Sequence, residues 1–589
     1  MAETGTHGDR SEVRIDAVTR QIIQSALASA ADEMAVGLHR TARSTIVRDV
    51  LDFSTSICNG KGMQIAQGVT IPFHMGSVPF AMDAMLAKFE GDIHPGDVFI
   101  LNDPFDGGMH LPDIYIVRPV FAGDRRIAFA VSTAHHLDVG GRLPGSSACD
   151  NVEIFQDGFR IPWLKLYERG EPNEAIFTLL RANIRVPDMT MGDLQAQLAA
   201  CHIGSRAVLE LVERYTIDVF EQCALDLIDY TERLVRADIA EWPDRSSTFT
   251  DWLDSNGCPD SPAPVKIQCT ITVRGDGLVA DFTGTDPQVR GAINSTYSMT
   301  SACVAMCVRS MMREAIPNTS GIFRPLEIIV PSGTVLNGKM PAASSMRGVT
   351  AFRTVDVVFG ALAEIVPERV PAAGDGGNSL VIIGGRRPGS DEPYVYYELM
   401  SGTWGARPDR DGNDGLCNPA NIASNIPIEE AESDYPVRID RYGLVQDSGG
   451  PGEFRGGMAI EREWSLLEGE ASLLIRSDRR AHRPYGLAGG RKGAPSTSVL
   501  HHADGSEKEL AVMISTEMTE GERLYHQQPG AGGFGDPMRR DPAAVATDVR
   551  DGRVSVEAAA RDYGVIVDPV SFEVDEAKTR DRRGGGASP

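Results

Sequence analysis

VFILNDPFDGGMHLPDIYIV, residues 98–117, sets an apolar run (Val98–Leu101), a polar loop rich in Asp, Pro and Gly, and a second apolar run (Ile114–Val117) end to end. Short apolar runs bounded by turn-forming residues read as strands joined by loops. A third run, Ala128–Val131, leads into STAHHLDVGG, residues 132–141. The chain from about Arg48 to Trp163 is therefore read as strand-rich. Each loop that follows a strand can carry functional groups on a rigid scaffold.

On either side of this region the period changes. Val18, Ile22, Ala26, Leu27, Ala30, Met34 and Leu38 fall at helical spacing and predict a helix from Asp16. Met191–Glu213 and Thr216–Glu241 predict two long helices, with Leu209, Val212, Val219, Leu227 and Leu234 facing the core. Trp242-Pro243 ends the second, since the residue before a proline avoids the helical region. The polar, Pro-rich Asp254–Pro264 is taken as the first domain boundary. Beyond it, Gly275-Asp276-Gly277 between Val265–Val273 and Leu278–Phe282 signals a hairpin. Helices are expected near Ser298–Glu314 and Thr354–Ile365, then short strands with many turns from Tyr394 to Tyr525. Pro542–Val549 and Ser555–Tyr563 read as closing helices, the second with Ser555 as N-cap.

The expected fold is multi-domain α+β. A tail (1–14) precedes an N-terminal α+β domain (15–260), a middle α+β domain (261–400), a β-rich C-terminal domain (401–577) and a charged, Gly-rich tail (578–589). The length of 589 residues suits several domains of roughly 150 residues each.

Composition narrows the partners. A net charge of −25 repels phosphate backbones and anionic headgroups, so nucleic acid and membrane surfaces are not expected partners. The start of the chain lacks the apolar core of a signal peptide, and no run approaches ~18 apolar residues. The nine cysteines are scattered, without C-x-x-C spacing. They read as reduced, mostly buried thiols of a cytoplasmic protein.

Nucleotide motifs are missing. There is no G-x-x-x-x-G-K-[ST], and Gly530, Gly532 and Gly535 in PGAGGFGDP lack the preceding strand and following helix of a dinucleotide site. Histidines are more telling. His110 and Asp113 flank Pro112 on a turn and can converge on one point. His135 and His136 follow a neighbouring strand, and an extended chain sends them to opposite sides, so one of the two faces His110. Two imidazoles with one or two carboxylates suit Zn²⁺, Mn²⁺ or Fe²⁺. Asp52, alone in an apolar stretch, is a candidate second carboxylate. A hydrogen-bonding loop histidine and a turn-forming Asp remain the alternatives on spacing alone.

Arg48–Phe53, Phe73-His74-Met75-Gly76-Ser77, LNDPFDGGMHLPD, AHHLDVGG, GFRIPWLKLYERGE, DSGGPGEFRGG, RSDRRAHRPYGLAGG and GAGGFGDPMRRDPAAVATDVRDGRVSVEAA occur in that order. Together they resemble the hydantoinase B / 5-oxoprolinase / acetone carboxylase α-subunit family over nearly the whole chain. The resemblance implies one divalent metal, Zn or Mn, held by Asp52, His110, Asp113 and His135. His136 and Asp138 become candidates for the substrate side or for orienting ligands, and Asp103 for orienting its loop; these three are the catalytic candidates. It also implies a hydantoinase A-like ATPase subunit as partner, in an (αβ)2 assembly, which uses ATP to phosphorylate a small cyclic amide. That division of labour answers the amide's resonance, which makes it a poor electrophile. The expected activity is ATP-dependent hydrolysis of a hydantoin, oxoproline or lactam. The alternatives are the α-like subunit of an acetone/acetophenone-type carboxylase and a non-catalytic scaffold.

Overall fold

The computed structural model describes residues 15–584, apart from 259, 378, 417 and 418. A seven-stranded antiparallel sheet carries the first part of the chain. Its strands are β1 (Phe53–Asn59), β2 (Gln64–Gln67), β3 (Val98–Leu101), β4 (Asp113–Ala122), β5 (Arg125–His135), β6 (Leu164–Glu168) and β7 (Glu171–Pro172). They lie in the order β2-β1-β5-β4-β3-β6-β7. Every residue of β1 and β3 is buried, because both faces are covered. Helices Ala17–Thr41 and Pro187–Tyr215 pack on one face. Val78, Met82 and Met85 of helix Val78–Lys88 meet Phe99, Tyr115, Phe129 and Trp163 on the other. Strands buried on both sides read as continuous apolar runs rather than alternating ones.

The second sheet takes β8 (Ser246–Leu253), β9 (Val265–Arg274), β10 (Gly277–Asp281) and β11 (Leu326–Ile329) in the order β11-β10-β9-β8. Alternate residues of β9 are buried, as expected for a sheet with one face on helix Arg347–Leu362 and the other towards water. The hairpin expected at Gly275-Asp276-Gly277 joins β9 to β10, with Gly275 at φ 59°.

The remaining strands are β12 (Leu380–Arg386), β13 (Pro393–Leu399), β14 (Val437–Leu444), β15 (Ile460–Leu466), β16 (Glu470–Arg476), β17 (Thr497–His501), β18 (Glu507–Glu509), β19 (Met513–Thr519) and β20 (Arg523–Gln527). They form two sheets, β13-β12-β16-β19 and β14-β15-β20-β17-β18. One hydrophobic core runs through all four sheets, from Ile23 to Leu524. The fold is mixed α and β with several sheets, as the strand and helix periods imply.

Four expectations need correction. Asp254–Pro264 does not separate domains: it links β8 to β9, which pair from Leu253↔Val265 to Ser246↔Thr272. A hairpin loop and a linker share the same Pro- and Asp-rich composition, so composition could not tell them apart. A boundary at residue 400 likewise cuts a sheet, since β12 pairs with β13 on one side and β16 on the other. Residues 576–584 form a helix rather than a loose tail. Its Arg582 Nε donates to Ala560 O (2.7 Å) and Arg583 Nε to Tyr563 O (2.9 Å), anchors invisible to local sequence. Val18, Ile22 and Leu209 fall at helical spacing yet are exposed, so Leu209 does not face the core as expected. Residues 1–14 lie outside the described residues.

Gly530, Gly532 and Gly535 sit where extended glycine-rich segments cross. Gly450 N–H donates to Ala531 O (2.8 Å), Gly533 N–H to Arg491 O (3.0 Å) and Gly532 N–H to Ala373 O (2.8 Å). A Cβ on Gly532 would stand 1.9 Å from Tyr485 O, whereas one on Gly277 would meet nothing closer than 3.5 Å. We expect Gly532→Val to destabilise the protein by about 3 kcal/mol or more, and Gly277→Ala to change it little. Denaturant unfolding of the two variants beside wild type checks this.

Candidate metal centre

Strand register builds the site. Asp113, the first residue of β4, is the cross-strand partner of His135, the last residue of β5. Directly opposed residues in an antiparallel pair hold their Cβ atoms about 5 Å apart. On the other edge of β5, Ala134 opposes Phe53 of β1, and His135 N–H donates to Asp52 O at 2.9 Å. His110 lies on the turn before β4, closed by Asp113 N–H to His110 O at 3.1 Å. Leu51, at φ 64°, turns the chain into β1 through a conformation that side chains rarely adopt. Three adjacent strand ends and one turn thus meet at one end of the sheet.

His110, Asp113 and His135 are all buried, and one ligand atom from each lies within 4.8 Å of the others. His110 Nδ1 is 2.8 Å from Asp113 Oδ2. The Tyr397 hydroxyl is 3.3 Å from His135 Nε2, while His135 Nδ1 is buried with no hydrogen-bond partner. Arg347 Nη2 donates to Asp113 Oδ2 at 2.7 Å. His110, His135, Arg347 and Tyr397 face a cavity of about 50 Å³ that Asp52, His74, Phe352 and Arg476 also line, with Asp113 behind His110 and Arg347.

The protonation states favour metal binding. Burial, reinforced by Arg347, pushes His110 down to about 4 against the pull of Asp113, and burial holds His135 well below its ordinary value. For Asp113 burial acts to raise the carboxyl, but His110 and Arg347 outweigh it and hold the group below the usual carboxylate range. Neutral imidazoles beside an ionised carboxylate are the forms that ligate a cation. Two nitrogen donors and a carboxylate oxygen, one nitrogen buried and unpartnered, fit a divalent ion of the zinc or manganese kind.

Asp52 lines the same cavity but stands outside the three-residue cluster. Burial and the charge of Asp113 push its carboxyl up to about 7. His136 turns the other way, as alternation requires, with Nε2 2.9 Å from Gln197 Oε1 on helix Pro187–Tyr215. Asp138 accepts from Gly140 N (2.8 Å), Gly145 N (3.0 Å) and Arg185 Nη1 (3.0 Å), which ties loops together. Asp103 accepts from Phe105 N (3.0 Å) and Arg160 Nε (2.5 Å). None of these last three lines the cavity. Sequence reasoning gave no role to His74, Arg347, Tyr397 or Arg476. His74 stands within the Phe73–Ser77 motif, its Nδ1 2.8 Å from Ser54 Oγ. Arg476 ends an apolar strand with a charge and opens the RSDRRAHRPYGLAGG motif, the two local signals it offers.

Residues 16–537 match the family described as Hydantoinase B/oxoprolinase, and the chain belongs to it. It is 33% identical to the B subunit of a putative D-/L-hydantoinase from Pseudomonas sp. (strain NS671), over 97% of this chain and 98% of that one. The beta subunit of caprolactamase from Pseudomonas jessenii is 32% identical over 97% and 99%. The crystal structure of ATP-dependent caprolactamase from Pseudomonas jessenii superposes with a TM-score of 0.88, covering 97% of this chain and 100% of that one. An acetone carboxylase structure superposes with a TM-score of 0.89 at 20% identity, covering 96% and 82%, and shares the fold.

The Asp52 shift has a sign that can be tested. Its folded value lies above that of an unfolded Asp, so its stabilising contribution is present at low pH and is lost as pH rises through about 7. In chelator-treated protein, Asp52→Asn is expected to melt several degrees above wild type at pH 8, with the gap narrowing at pH 5 because the loss runs from the unfolded value up to about 7. Melting temperatures at the two pH values check it.

Proposed function

We propose that this chain is the metal-bearing subunit of an ATP-dependent enzyme that opens a cyclic amide, its ring activated by phosphorylation in a hydantoinase A-like partner, in an (αβ)2 assembly. The observation that carries this reading is the buried convergence of His110, Asp113 and His135 in a chain that matches relatives named as B and beta subunits along nearly its whole length. A solved relative described as an ATP-dependent caprolactamase supports the use of ATP. The sequence carries no P-loop of its own, which fits activation in a partner chain. The eight described cysteines are free, which supports a reducing compartment such as the cytoplasm.

The residues divide the work. His110, Asp113 and His135 would hold a divalent ion, Zn or Mn, with Asp52 as a second carboxylate that balances its charge. Such an ion, when bound, supplies electrostatic polarisation and makes water more acidic. Arg347 keeps Asp113 ionised and oriented through its 2.7 Å hydrogen bond. Tyr397 fixes the ring of His135, as partners behind ligand imidazoles commonly do. Asp52, at the cavity wall outside the cluster, is the carboxylate positioned to take a proton from water during attack on the activated carbon. Arg347 and Arg476 offset negative charge that develops there. His136, Asp138 and Asp103 act as positioning residues through the contacts that hold their loops. The carboxylase alternative has fold likeness alone behind it.

His110→Ala and His135→Ala are each expected to lose the ion and to lower ring opening by about 100-fold or more, while His136→Ala keeps the metal. Metal content and turnover of the three variants, purified with the partner, check this. The chain alone is expected to turn over no ATP. If His136→Ala loses the ion and His135→Ala keeps it, the ligand within the pair is the other one.

A further inference from the structure

The cavity at His110 and His135 measures about 50 Å³, room for a few water molecules. A five- to seven-membered ring with its carbonyl does not fit there. The ring has to rest outside, with its reacting carbon directed at the ligands. A second pocket of about 520 Å³ falls in the usual range of small-molecule sites, roughly 300–1,000 Å³. Asn421 lines both.

The chemistry of this larger pocket suits an apolar ring. No Lys, Arg, His, Asp or Glu occurs among its described lining residues, and Trp404, Leu416, Ile422 and Tyr442 supply apolar and aromatic surface. Ile422 and Tyr442 remain 40% and 45% exposed, large apolar groups left open to water. Another pocket, about 590 Å³, is lined by Arg185, Asp188, Arg387, Glu392 and Asp434, and one of about 360 Å³ by Arg309, Arg313 and Glu314; neither shares a residue with the metal cavity. Charged walls suit an ion better than an uncharged ring.

The shared wall is fixed. Asn421 Oδ1 accepts from Ala423 N–H at 2.8 Å, which turns the amide so that its NH₂ is the remaining donor. Ser401 Oγ donates to Ala423 O (2.9 Å) and Ser401 N–H to Asn425 Oδ1 (2.7 Å). Ser424 N–H donates to Val50 O (3.1 Å), two residues before Asp52. The pocket wall is thereby tied to the strand start that borders the cavity.

We infer that this pocket is the substrate vestibule: the apolar ring of the cyclic amide rests on Trp404, Ile422 and Tyr442, while the Asn421 NH₂ donates to the oxygen on the reacting carbon, before and after that oxygen is phosphorylated, and aims the carbon into the cavity. The inference rests on the cyclic-amide reading above and adds the seat of the ring and the residues that select its size. The full chain, purified in its native complex, is tested with unsubstituted cyclic amides of five-, six- and seven-membered rings. Ile422→Trp should lower kcat/KM for the seven-membered ring at least tenfold more than for the five-membered one. Asn421→Leu should raise KM at least tenfold, with metal content unchanged in both. Trp404 supplies a readout independent of turnover: its fluorescence should respond saturably to the amides, lose that response in Trp404→Phe, and need tenfold more ligand in Asn421→Leu. Unchanged KM and ring-size preference in fully metallated variants would overturn the vestibule while leaving the hydrolase reading intact. A Trp404 response that weakens in Asn421→Leu, in a wild type that opens no ring, would support the vestibule and refute the hydrolase reading.

Discussion

The register of β1, β5 and β4 is the constraint on which the site depends. Asp52, His135 and Asp113 come together because their strands end at the same level, with Asp113 opposite His135 and His135 N–H bonded to Asp52 O. A slip of one residue would exchange His135 for His136 and send every alternate side chain to the opposite face. Burial of both faces of the sheet prevents that slip. Phe129 and Val131 face one hydrophobic cluster, and Ala128, Ala130 and Ala134 face another. Packing energy far from Asp52, His135 and Asp113 therefore fixes their geometry.

Electrostatics then explains why so polar a cluster persists in the interior. A buried charge is costly unless it is paired, and Asp113 is paired with Arg347. Asp52 is less well compensated, and its carboxyl is pushed up to about 7. A divalent cation would supply the missing positive charge, and the neutral imidazoles of His110 and His135 would supply its nitrogen donors. The same cation would compensate the site and prepare it for chemistry, so stability and function draw on one set of side chains.

The parts of this arrangement that follow from local pattern were legible in the sequence. Apolar runs at Val98–Leu101, Ile114–Val117 and Ala128–Val131 identified the strands, and Pro112 between His110 and Asp113 identified the turn. Alternation showed that only one of His135 and His136 could face His110, and the family resemblance pointed to His135. The opposite wall was not legible, because it comes from distant chain: Arg347 reaches Asp113 across 234 residues, and Tyr397 reaches His135 across 262. No local period encodes the docking of β13 and helix Arg347–Leu362 against the first sheet. Asp254–Pro264 misled for a related reason, since its composition is that of any loop and only the pairing of β8 with β9 reveals a hairpin.

The central claim is that three side chains from one end of the first sheet hold a single divalent ion. Anomalous diffraction from crystals of the native complex, collected on both sides of the metal's absorption edge, tests it most directly. The account predicts one strong peak bonded to His110, Asp113 and His135, at about 2.0–2.2 Å if the metal is zinc. A peak coordinated by His136 or His74 in place of His135, or none in fully active protein, would contradict it.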